Sequence, residues 1–467
     1  MTGVTWDSRE VQPGWLYVAL PGERVDGHDF VESALRAGAT GALVMQAPGH
    51  AAMLLAREMG AALIEVANTA SAITDLARAW RGHLHGRVIA LTGSVGKTTT
   101  KNLLRDVCAA HGSVVATKAN QNNELGVPRT LLAAEPETDT VVVEMGMRGR
   151  GQIASLVEFV RPDWGLITNV GESHIELLGS RENIARAKAE LFAGLPAGTG
   201  HAFVNAADDF AVACVKEGAL AERSVACTAF DGTAGARADF AVMEQEGAHL
   251  ASRVWAEGIA LDDEGRPRFT LCAEGFDGAI ERTSCALALQ GVHNVANACA
   301  AAAVGRALGL SLPVLAQVLG ASVPESGRQE VLRARGGFTV INDAYNASPD
   351  SMRASLATFA SQAVAGRRIA VLGDMGELGD YADACHRGVG QAAAEAHLDK
   401  LVCVGELAAL IAEGAADAGM DPARIVGART VADVLEELDG RLEPGDAVLV
   451  KASHFMGLNR VVEGLVS

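Results

Sequence analysis

A glycine-rich turn between an apolar segment and a helix-like segment, at residues 87–100, constrains the fold of this chain more than any other feature. The apolar residues 88–91 predict a buried strand, which ends at the turn Thr-Gly-Ser-Val-Gly-Lys-Thr of residues 92–98. Backbone N–H groups in such a turn, at the positive end of the next helix, bind polyphosphate oxygens. The lysine then reaches the outer phosphates, and the threonine hydroxyl can ligate Mg²⁺. The sequence therefore predicts a nucleotide-binding unit, and residues 92–98 are called the phosphate loop.

The phosphate loop departs from the commonest pattern at one position. That pattern has a glycine five residues before Gly96, where this chain has Leu91. A glycine-rich turn with an ordinary surface lysine is the alternative, but Gly-Lys-Thr-Thr directly after an apolar strand favours phosphate binding. The predicted phosphate contacts are Gly93, Ser94, Val95, Gly96, Lys97, Thr98 and Thr99.

Length and composition predict a large globular protein. A chain of 467 residues exceeds the size of one hydrophobic core and predicts about three domains. Its net charge of −18 disfavours nucleic acid and anionic membranes as partners. The eight cysteines form no C-x-x-C pair, which argues against a zinc site or a disulfide framework and favours a cytoplasmic protein. No segment resembles a signal peptide or a membrane span.

Strand-like and helix-like segments alternate along the chain and predict an α/β fold with mostly parallel sheets. The predicted domains are residues 1–83, 84–308 and 309–467. Within 225–290, alternating polar and apolar residues predict an antiparallel insertion instead. The predicted strands lie at 15–20, 41–45, 62–66, 88–92, 140–144, 165–169, 338–342, 368–373, 400–405 and 447–451.

Two strand-end segments place metal-ligating side chains near the phosphate loop, because ligands bind at the carboxyl ends of parallel strands. Glu144 directly follows an apolar strand, where it is expected to ligate Mg²⁺. An ion pair with Arg148 or Arg150 is the alternative, and the nearby phosphate loop favours the metal. His174 lies in the loop after the next strand. For His174 alone, an ordinary polar surface residue is the simpler interpretation.

Two further segments carry candidate groups, each with a simpler alternative. Lys188 lies on a predicted helix, where a solvated cation or a partner of Glu190 is the usual role. Asn294 and Asn297 share one helical face and can hydrogen-bond a purine edge, although for this motif alone a helix cap followed by a polar helix position is the better interpretation.

In the last third of the chain, an arginine and a polar turn are the candidates. Arg328 is a candidate clamp for a γ-phosphate, and the turn Asp343–Asn346 is expected to line a nucleotide or substrate pocket. Surface turns are the alternative for each of these segments.

Eight motifs in fixed order resemble those of the ATP-dependent Mur ligases of peptidoglycan synthesis, and the resemblance covers the whole chain. They read T-G-S-V-G-K-T, V-V-E-M-G, T-N-V-G-E-S-H-I-E, A-R-A-K-A-E, H-N-V-A-N, S-G-R-Q-E, D-A-Y-N-A-S-P and L-G-D-M-G-E-L-G. The last two, with N-Q-N-N-E-L-G-V-P at 120–128, look most like the members that act on a muramoyl tripeptide.

The resemblance implies an α/β fold of three domains: a small N-terminal substrate domain, a central mostly parallel sheet with the phosphate loop, and a C-terminal Rossmann-like domain. It implies that ATP drives the joining of D-alanyl-D-alanine to UDP-N-acetylmuramoyl-tripeptide through an acyl phosphate. The N-terminal domain would bind the uridine end, and the C-terminal domain would bind the dipeptide and part of the nucleotide. A cytoplasmic monomer is expected.

The resemblance also implies residue roles. Lys97, His174, Lys188 and Arg328 form the catalytic set. Thr98 and Glu144 hold one Mg²⁺, while His174 and a carbamylated Lys188 hold a second. A carbamate has a physical logic, because a bare ammonium would repel the cation whereas anionic oxygens bind it. The nucleotide contacts implied are Asn294, Asn297, Arg328, Asp343 and Tyr345, and the substrate contacts are Ser8, Arg9, Asp26, Gly27, His28, Asn123 and Asn346.

Three other functions compete. The ligases that add the third residue to a muramoyl dipeptide carry an Asp-Asn-Pro-Arg motif, which occurs nowhere in this chain, and a Gly-Gly-Asp-Arg-Asp turn where residues 373–377 read Gly-Asp-Met-Gly-Glu. Folylpolyglutamate-type ligases share the central fold but fit the N-terminal domain poorly. A nucleotide-gated switch would use the phosphate loop without a second substrate.

Overall fold

The alternating segments form three separate sheets along the chain. A computed structural model describes residues 1–22, 25–275 and 278–467. In that part of the chain there are sheets of four, nine and six strands. Most neighbouring strands are parallel and are flanked by helices, so the predicted three-domain α/β fold is confirmed.

The N-terminal sheet has four parallel strands in the order β1-β2-β3-β4. Its last helix, α3, begins after Asn68, whose side chain accepts a hydrogen bond from the Ser71 N–H at 2.9 Å and so caps the helix. The elements are β1 (Gly3–Thr5), β2 (Trp15–Val18), α1 (Val31–Arg36), β3 (Gly41–Val44), α2 (His50–Met59), β4 (Ala62–Glu65) and α3 (Thr69–Arg81).

The central sheet has nine strands in the order β13-β12-β11-β10-β9-β8-β5-β7-β6. Its strands are β5 (Arg87–Thr92), β6 (Val114–Ala116), β7 (Thr140–Glu144), β8 (Trp164–Ile167), β9 (His201–Asn205), β10 (Ala226–Asp231), β11 (Ser252–Leu261), β12 (Pro267–Glu274) and β13 (Ile280–Ala286). Its helices are α4 (Lys97–Ala109), α5 (Gly126–Leu132), α6 (Gln152–Val160), α7 (Ile175–Leu178), α8 (Arg181–Ala193), α9 (Ala211–Glu217), α10 (Ala236–Gln245), α11 (His293–Ala307) and α12 (Leu312–Ala321).

β5 is the central feature of this sheet. It pairs in parallel with β7 on one side and β8 on the other, and residues 88–91 are fully buried. A parallel strand covered on both faces reads as such an unbroken apolar run. The loops that follow these three strands therefore meet at one edge of the sheet.

The predicted antiparallel insertion at 225–290 was only partly correct. β10 and β11 continue the parallel sheet, and only β12 and β13 are antiparallel within it. The polar–apolar alternation arises because β13 lies at the sheet edge and exposes most of its residues.

Helix α12, which follows the predicted 308/309 boundary, packs on the central unit. Its buried leucines, Leu312, Leu315 and Leu319, belong to the central core. Pro313 is the second residue of this helix, where proline is tolerated because it lies in the first helical turn.

The C-terminal sheet has the order β14-β15-β19-β16-β17-β18, and only β14 is antiparallel to its neighbour. Its strands are β14 (Glu330–Arg333), β15 (Thr339–Asn342), β16 (Arg368–Gly373), β17 (Lys400–Val404), β18 (Ile425–Ala428) and β19 (Ala447–Lys451). Its helices are α13 (Pro349–Ser361), α14 (Ala382–Glu395), α15 (Ala408–Asp417), α16 (Val431–Leu438) and α17 (Asn459–Val466).

The cysteines behave as the sequence predicts. All eight are buried and none forms a disulfide. Within residues 1–22, 25–275 and 278–467, no helix combines the length and apolar character needed to cross a bilayer.

One carboxyl in the central core is buried without full pairing. Asp231, at the end of β10, is completely buried, and its Oδ1 accepts the Thr233 N–H at 2.6 Å while Oδ2 has no hydrogen-bond partner among the described residues. Burial, followed by the nearby Asp239 carboxyl, raises the pKa of Asp231 to about 6.

We expect Asp231→Asn to stabilise the protein at pH 8 and not at pH 4. Because the folded state keeps the Asp231 proton to a higher pH than the unfolded state, the wild-type free energy of unfolding falls as pH rises through about 4 to 6. The asparagine amide does not ionise, so the variant avoids this loss, and its oxygen can still accept the Thr233 N–H. At pH 8 the substitution should therefore raise the free energy of unfolding by about 1 kcal/mol, after discounting for solvent screening. Chemical denaturation at both pH values measures the difference.

The control for this prediction is Asp209→Asn, which changes a carboxyl whose side chain is 73% exposed. It should leave the free energy of unfolding nearly unchanged at both pH values. An equal gain from Asp231→Asn at pH 4 and pH 8 would contradict the ionisation argument.

Candidate active site

A cavity of about 1060 Å³ lies between the central and C-terminal units. The carboxyl ends of β5 and β7 face those of β15 and β19 across it, as expected for ligand sites in parallel sheets. Most of the predicted nucleotide and metal residues line this cavity. They are Ser94, Val95, Gly96, Lys97, Thr98, Thr99, Glu144, His174, Asn294, Asn297, Arg328, Asp343 and Tyr345, together with the predicted substrate residues Asn123 and Asn346.

The phosphate loop leaves the N-terminus of α4 open to a ligand. No side chain caps this helix, so the N–H groups of its first turn point toward the cavity without intrahelical partners. Two glycines are required by close approach, because a Cβ at Gly93 would lie 1.8 Å from Thr168 Oγ1, and one at Gly96 would lie 2.6 Å from Asn297 Oδ1. Leu91 is a buried residue of β5, so the loop begins later than in the commonest pattern.

Lys97 is folded back over the phosphate loop. Its Nζ donates to the Gly93 carbonyl at 2.7 Å and to the Ser94 carbonyl at 3.2 Å. Burial lowers the pKa of Lys97, and the Glu144 carboxylate opposes that shift. The loop itself is held by Asn169, which follows β8 and whose Oδ1 accepts the Val95 N–H at 2.9 Å.

Glu144 is buried at the end of β7 with one oxygen uncommitted. Its Oε1 accepts from Asn122 Nδ2 at 2.8 Å and lies 3.5 Å from Thr98 Oγ1, whereas Oε2 has no hydrogen-bond partner in the described chain. Lys101 Nζ lies 4.0 Å from Oε2. The alternative pairing with Arg148 is not formed, because Arg148 lies 3.3 Å from Glu377 instead.

The oxygens of Thr98 and Glu144 fit a divalent cation such as Mg²⁺, which prefers hard oxygen ligands. Among the described residues, no three His, Cys, Asp or Glu side chains converge as a metal site. Phosphate oxygens and water would therefore have to complete the coordination, as is usual for Mg²⁺ beside a nucleotide.

His174 lies between two charged neighbours. Its Nδ1 is 2.5 Å from Glu377 Oε2 of the C-terminal unit. Burial lowers the pKa of His174, Glu377 raises it, and the cations of Lys97 and Lys188 lower it further. Lys188 is therefore near enough to influence the pKa of His174.

Lys188 is a buried lysine on α8 that makes no hydrogen bond or ion pair with the described residues, and its exposed fraction is 1%. Glu190 is not its partner, because that carboxylate accepts the N–H groups of Gly151 and Ala154. Burial, and then the charge of Lys97, holds the pKa of Lys188 well below its usual range. Lys188 does not line the cavity directly.

The two asparagines of α11 bind each other and the phosphate loop helix. Asn297 Nδ2 donates to Asn294 Oδ1 at 2.8 Å, and Asn297 Oδ1 accepts from Thr100 Oγ1 at 3.1 Å. Asn294 Nδ2 donates to the Gln290 carbonyl at 2.7 Å. Neither side chain caps the helix, and each retains one amide hydrogen for a ligand at the cavity wall.

Arg328 and Asp343 are two charged residues that the C-terminal unit contributes to the cavity. The Arg328 guanidinium stacks 4.1 Å above the Tyr345 ring, and its Nε has no hydrogen-bond partner in the described part of the chain. The Asp343 carboxylate lies 2.7 Å from Lys451 Nζ and accepts from Ser355 Oγ at 2.9 Å. Its contact with the nucleotide stays a prediction.

The predicted uridine-end residues lie away from the cavity. They are Ser8, Arg9, Asp26, Gly27 and His28. In His28, Nε2 accepts the Met45 N–H at 2.9 Å and Nδ1 lies 2.6 Å from Asp26 Oδ1. Its substrate contact stays a prediction. Glu23 and Arg24 of the same candidate loop lie outside the described residues.

Sequence reasoning missed several residues of the cavity. Of the residues Asn-Gln-Asn-Asn at 120–123, only Asn123 was predicted as a substrate contact. Asn123 lines the cavity, and its side chain accepts the Gly126 N–H at 2.9 Å. Asn122 also lines the cavity, and it donates a hydrogen bond to Glu144. Lys451 carried a usable signal, because it ends an apolar strand, and it binds the Asp343 carboxylate of the same unit. Glu377 had no such signal, because the packing of the two units places it beside His174.

Comparison with known proteins agrees with this arrangement. Profiles described as "Mur ligase family, catalytic domain", "Mur ligase middle domain" and "Mur ligase, glutamate ligase domain" match residues 1–81, 91–305 and 327–454. The chain is 39% identical to the UDP-N-acetylmuramoyl-tripeptide–D-alanyl-D-alanine ligase of Mycobacterium tuberculosis, covering 99% of this chain and 92% of that protein. The identity to the Bacillus subtilis ligase of the same name is 34%, with 99% and 93% covered.

Solved structures show the same similarity. The crystal structure of MurF from Acinetobacter baumannii superposes with a TM-score of 0.80 at 30% identity, covering 99% of this chain and 93% of that one. MurF ligase from Thermotoga maritima, in complex with ADP, gives a TM-score of 0.76 at 26% identity, with 99% and 96% covered. With three matching domain profiles and near-complete coverage of these relatives, the chain belongs to the Mur ligase family.

Proposed function

We propose that this chain joins D-alanyl-D-alanine to UDP-N-acetylmuramoyl-tripeptide in peptidoglycan precursor synthesis, converting ATP to ADP and phosphate. Relatives that carry this activity in their names are 34–39% identical over nearly the whole chain. The observation that carries the proposal is that the phosphate loop lines the same cavity as Arg328 and Tyr345 of the C-terminal unit. The N-terminal unit would bind the uridine end, where Ser8, Arg9, Asp26 and Gly27 remain candidate contacts.

The reaction needs an activated carboxylate, because a free carboxylate is a poor electrophile. The γ-phosphoryl group of ATP passes to the terminal carboxylate of the tripeptide and gives an acyl phosphate and ADP. The amine of D-alanyl-D-alanine then attacks the acyl carbon, and phosphate leaves as the amide forms. Positioning and neutralisation of charge dominate such transfers.

The cavity residues supply this positioning. Lys97 can exchange its two loop carbonyls for the outer phosphate oxygens, since its Nζ already lies over the loop. Arg328 can clamp the γ-phosphate from the opposite wall. Mg²⁺ bound by Thr98 and Glu144 would neutralise phosphate charge. Asn294 and Asn297 present their remaining amide hydrogens to the base.

Lys188 fits a carbamate better than an ammonium. A buried cation without a partner is costly, and burial favours the neutral amine that CO₂ attacks. The resulting carbamate would add anionic oxygens beside His174, which suits a second Mg²⁺. A cytoplasmic location and a monomeric state stay predictions.

Phosphate release tests the proposed function directly. Release should depend on ATP, the muramoyl tripeptide and D-alanyl-D-alanine together. Release without the two acceptors would favour a nucleotide-gated switch. Release with the muramoyl dipeptide and a free diamino acid would favour addition of the third residue.

Lys97→Ala should lower turnover by about 10³-fold or more, because it removes the cation that neutralises the transferred phosphoryl group. Phosphate release measures turnover, and circular dichroism with thermal unfolding shows that the fold is intact. Lys216→Ala is the matched control, since Lys216 is 59% exposed and pairs only with Glu246. Near-normal release by Lys97→Ala would refute this role.

Lys188→Ala should lose activity and regain part of it when short carboxylic acids such as acetate or propionate are added. The small acid would occupy the space left by the carbamate and restore an anionic oxygen. Lys97→Ala should show no such rescue under the same conditions. Absence of rescue, together with no carbamate signal for Lys188 by ¹³C NMR under labelled CO₂, would contradict carbamylation.

A further inference from the structure

Two residues that face each other across the domain interface share a rare backbone conformation. His174 of the central unit has φ +66° and Glu377 of the C-terminal unit has φ +61°, both in the left-handed region that residues other than glycine seldom adopt. Their side chains meet with Nδ1 and Oε2 2.5 Å apart. Backbone strain of this kind is held by surrounding structure and clusters at functional sites.

The loop that carries Glu377 is fixed from both sides. It follows β16, and the Met375 N–H donates to His386 Nε2 at 3.0 Å. The next N–H, that of Gly376, donates to Ser453 Oγ at 3.0 Å. The C-terminal unit therefore holds the Glu377 carboxylate at a defined point of the cavity wall rather than on a free loop.

Most carboxylates of the cavity are already committed to protein partners. Among the described residues five carboxylates line it, and four of them have side-chain partners. Glu144 pairs with Asn122, Glu325 with Asn102, and Asp343 with Lys451. Glu377 pairs with His174 and Arg148, and at 38% its side chain is the most exposed of these four.

We propose that Glu377 binds the ammonium group of the incoming D-alanyl-D-alanine. This inference rests on the proposed function. The dipeptide amine has a pKa of about 8 in water and arrives protonated at neutral pH. The cations Lys97, Arg148 and Arg328 line the same cavity and would repel this ammonium group. A carboxylate in the cavity is therefore needed to bind it.

Glu377 retains the capacity to accept these hydrogen bonds. A carboxylate offers about four lone-pair positions. His174 lies against Oε2 and Arg148 lies 3.3 Å from Oε1, which leaves one position on each oxygen. The side chain is also 38% exposed, so an ammonium group can reach it from the cavity.

The surface beside Glu377 suits the rest of the dipeptide. Phe455 lines the cavity yet is 68% exposed, which is unusual for a large aromatic side chain. It lies next to Gly376, where a Cβ would be 3.0 Å from the ring. Methyl side chains such as those of D-alanine can pack on this ring while the ammonium group contacts Glu377.

The test compares Glu377→Gln with the wild type in steady-state kinetics. The KM for D-alanyl-D-alanine should rise about tenfold or more, because a charged hydrogen bond is replaced by a neutral one. The KM values for ATP and the muramoyl tripeptide should change less than about twofold. Acyl phosphate trapped by borohydride without dipeptide should form at the wild-type rate.

A charge probe separates recognition of the ammonium from a structural role. D-Lactoyl-D-alanine has a hydroxyl in place of the ammonium group, and it should bind wild-type enzyme at least about tenfold more weakly than D-alanyl-D-alanine. Glu377→Gln should reduce this discrimination below about threefold, whereas Glu377→Asp should retain most of it.

The matched control is Glu172→Gln, which removes another carboxylate from the same interface. Glu172 pairs with Arg353 at 3.1 Å across the two units and does not line the cavity. The Glu172→Gln variant should still bind D-alanyl-D-alanine more tightly than D-lactoyl-D-alanine, by about the same factor as the wild type.

Three results would count against these ideas. If Glu377→Gln keeps the full discrimination, or if it raises all three KM values alike and blocks acyl phosphate formation, the assignment of Glu377 is overturned. If the wild-type enzyme forms no product from D-alanyl-D-alanine at all, the proposed function fails instead.

Discussion

The parallel pairing of β5 between β7 and β8 is the constraint on which the candidate site depends. Leu91 pairs with Glu144 on one side and with Leu166 on the other. This register brings the phosphate loop, Glu144 and Asn169 to one edge of the sheet, although 75 residues separate Ser94 of the loop from Asn169. Asn169 then holds the loop N–H groups, and Glu144 stands within reach of Thr98.

The second half of the site depends on how the C-terminal unit meets this edge. The strand ends of β15 and β19 carry Asp343 and Lys451, which neutralise each other at 2.7 Å and leave Arg328 as a cation without a carboxylate partner in the described chain. A wall with one spare cation suits an anionic nucleotide. The arrangement explains how a chain with net charge −18 can present a local phosphate site.

Local sequence patterns predicted the strands and the phosphate loop well, because apolar runs and turn residues act over short distances. Ten predicted strands were found within one or two residues of their predicted bounds. Pro313 did not reveal that the helix Leu312–Ala321 packs on the central core. The partners of His28 and Asp343, which are Met45 and Lys451, come from other elements. Residue types alone do not reveal such partners.

Lys188 shows how burial can turn an ordinary residue into a reactive one. The sequence favours a solvated lysine or an ion pair with Glu190, and the structure removes both options because the ammonium position is buried and Glu190 binds the start of α6. An unpaired buried cation is unfavourable, so the neutral amine is the form that the fold stabilises. A neutral amine is the form that reacts with CO₂. Burial therefore supports the proposed carbamate on a ground that is independent of the family resemblance.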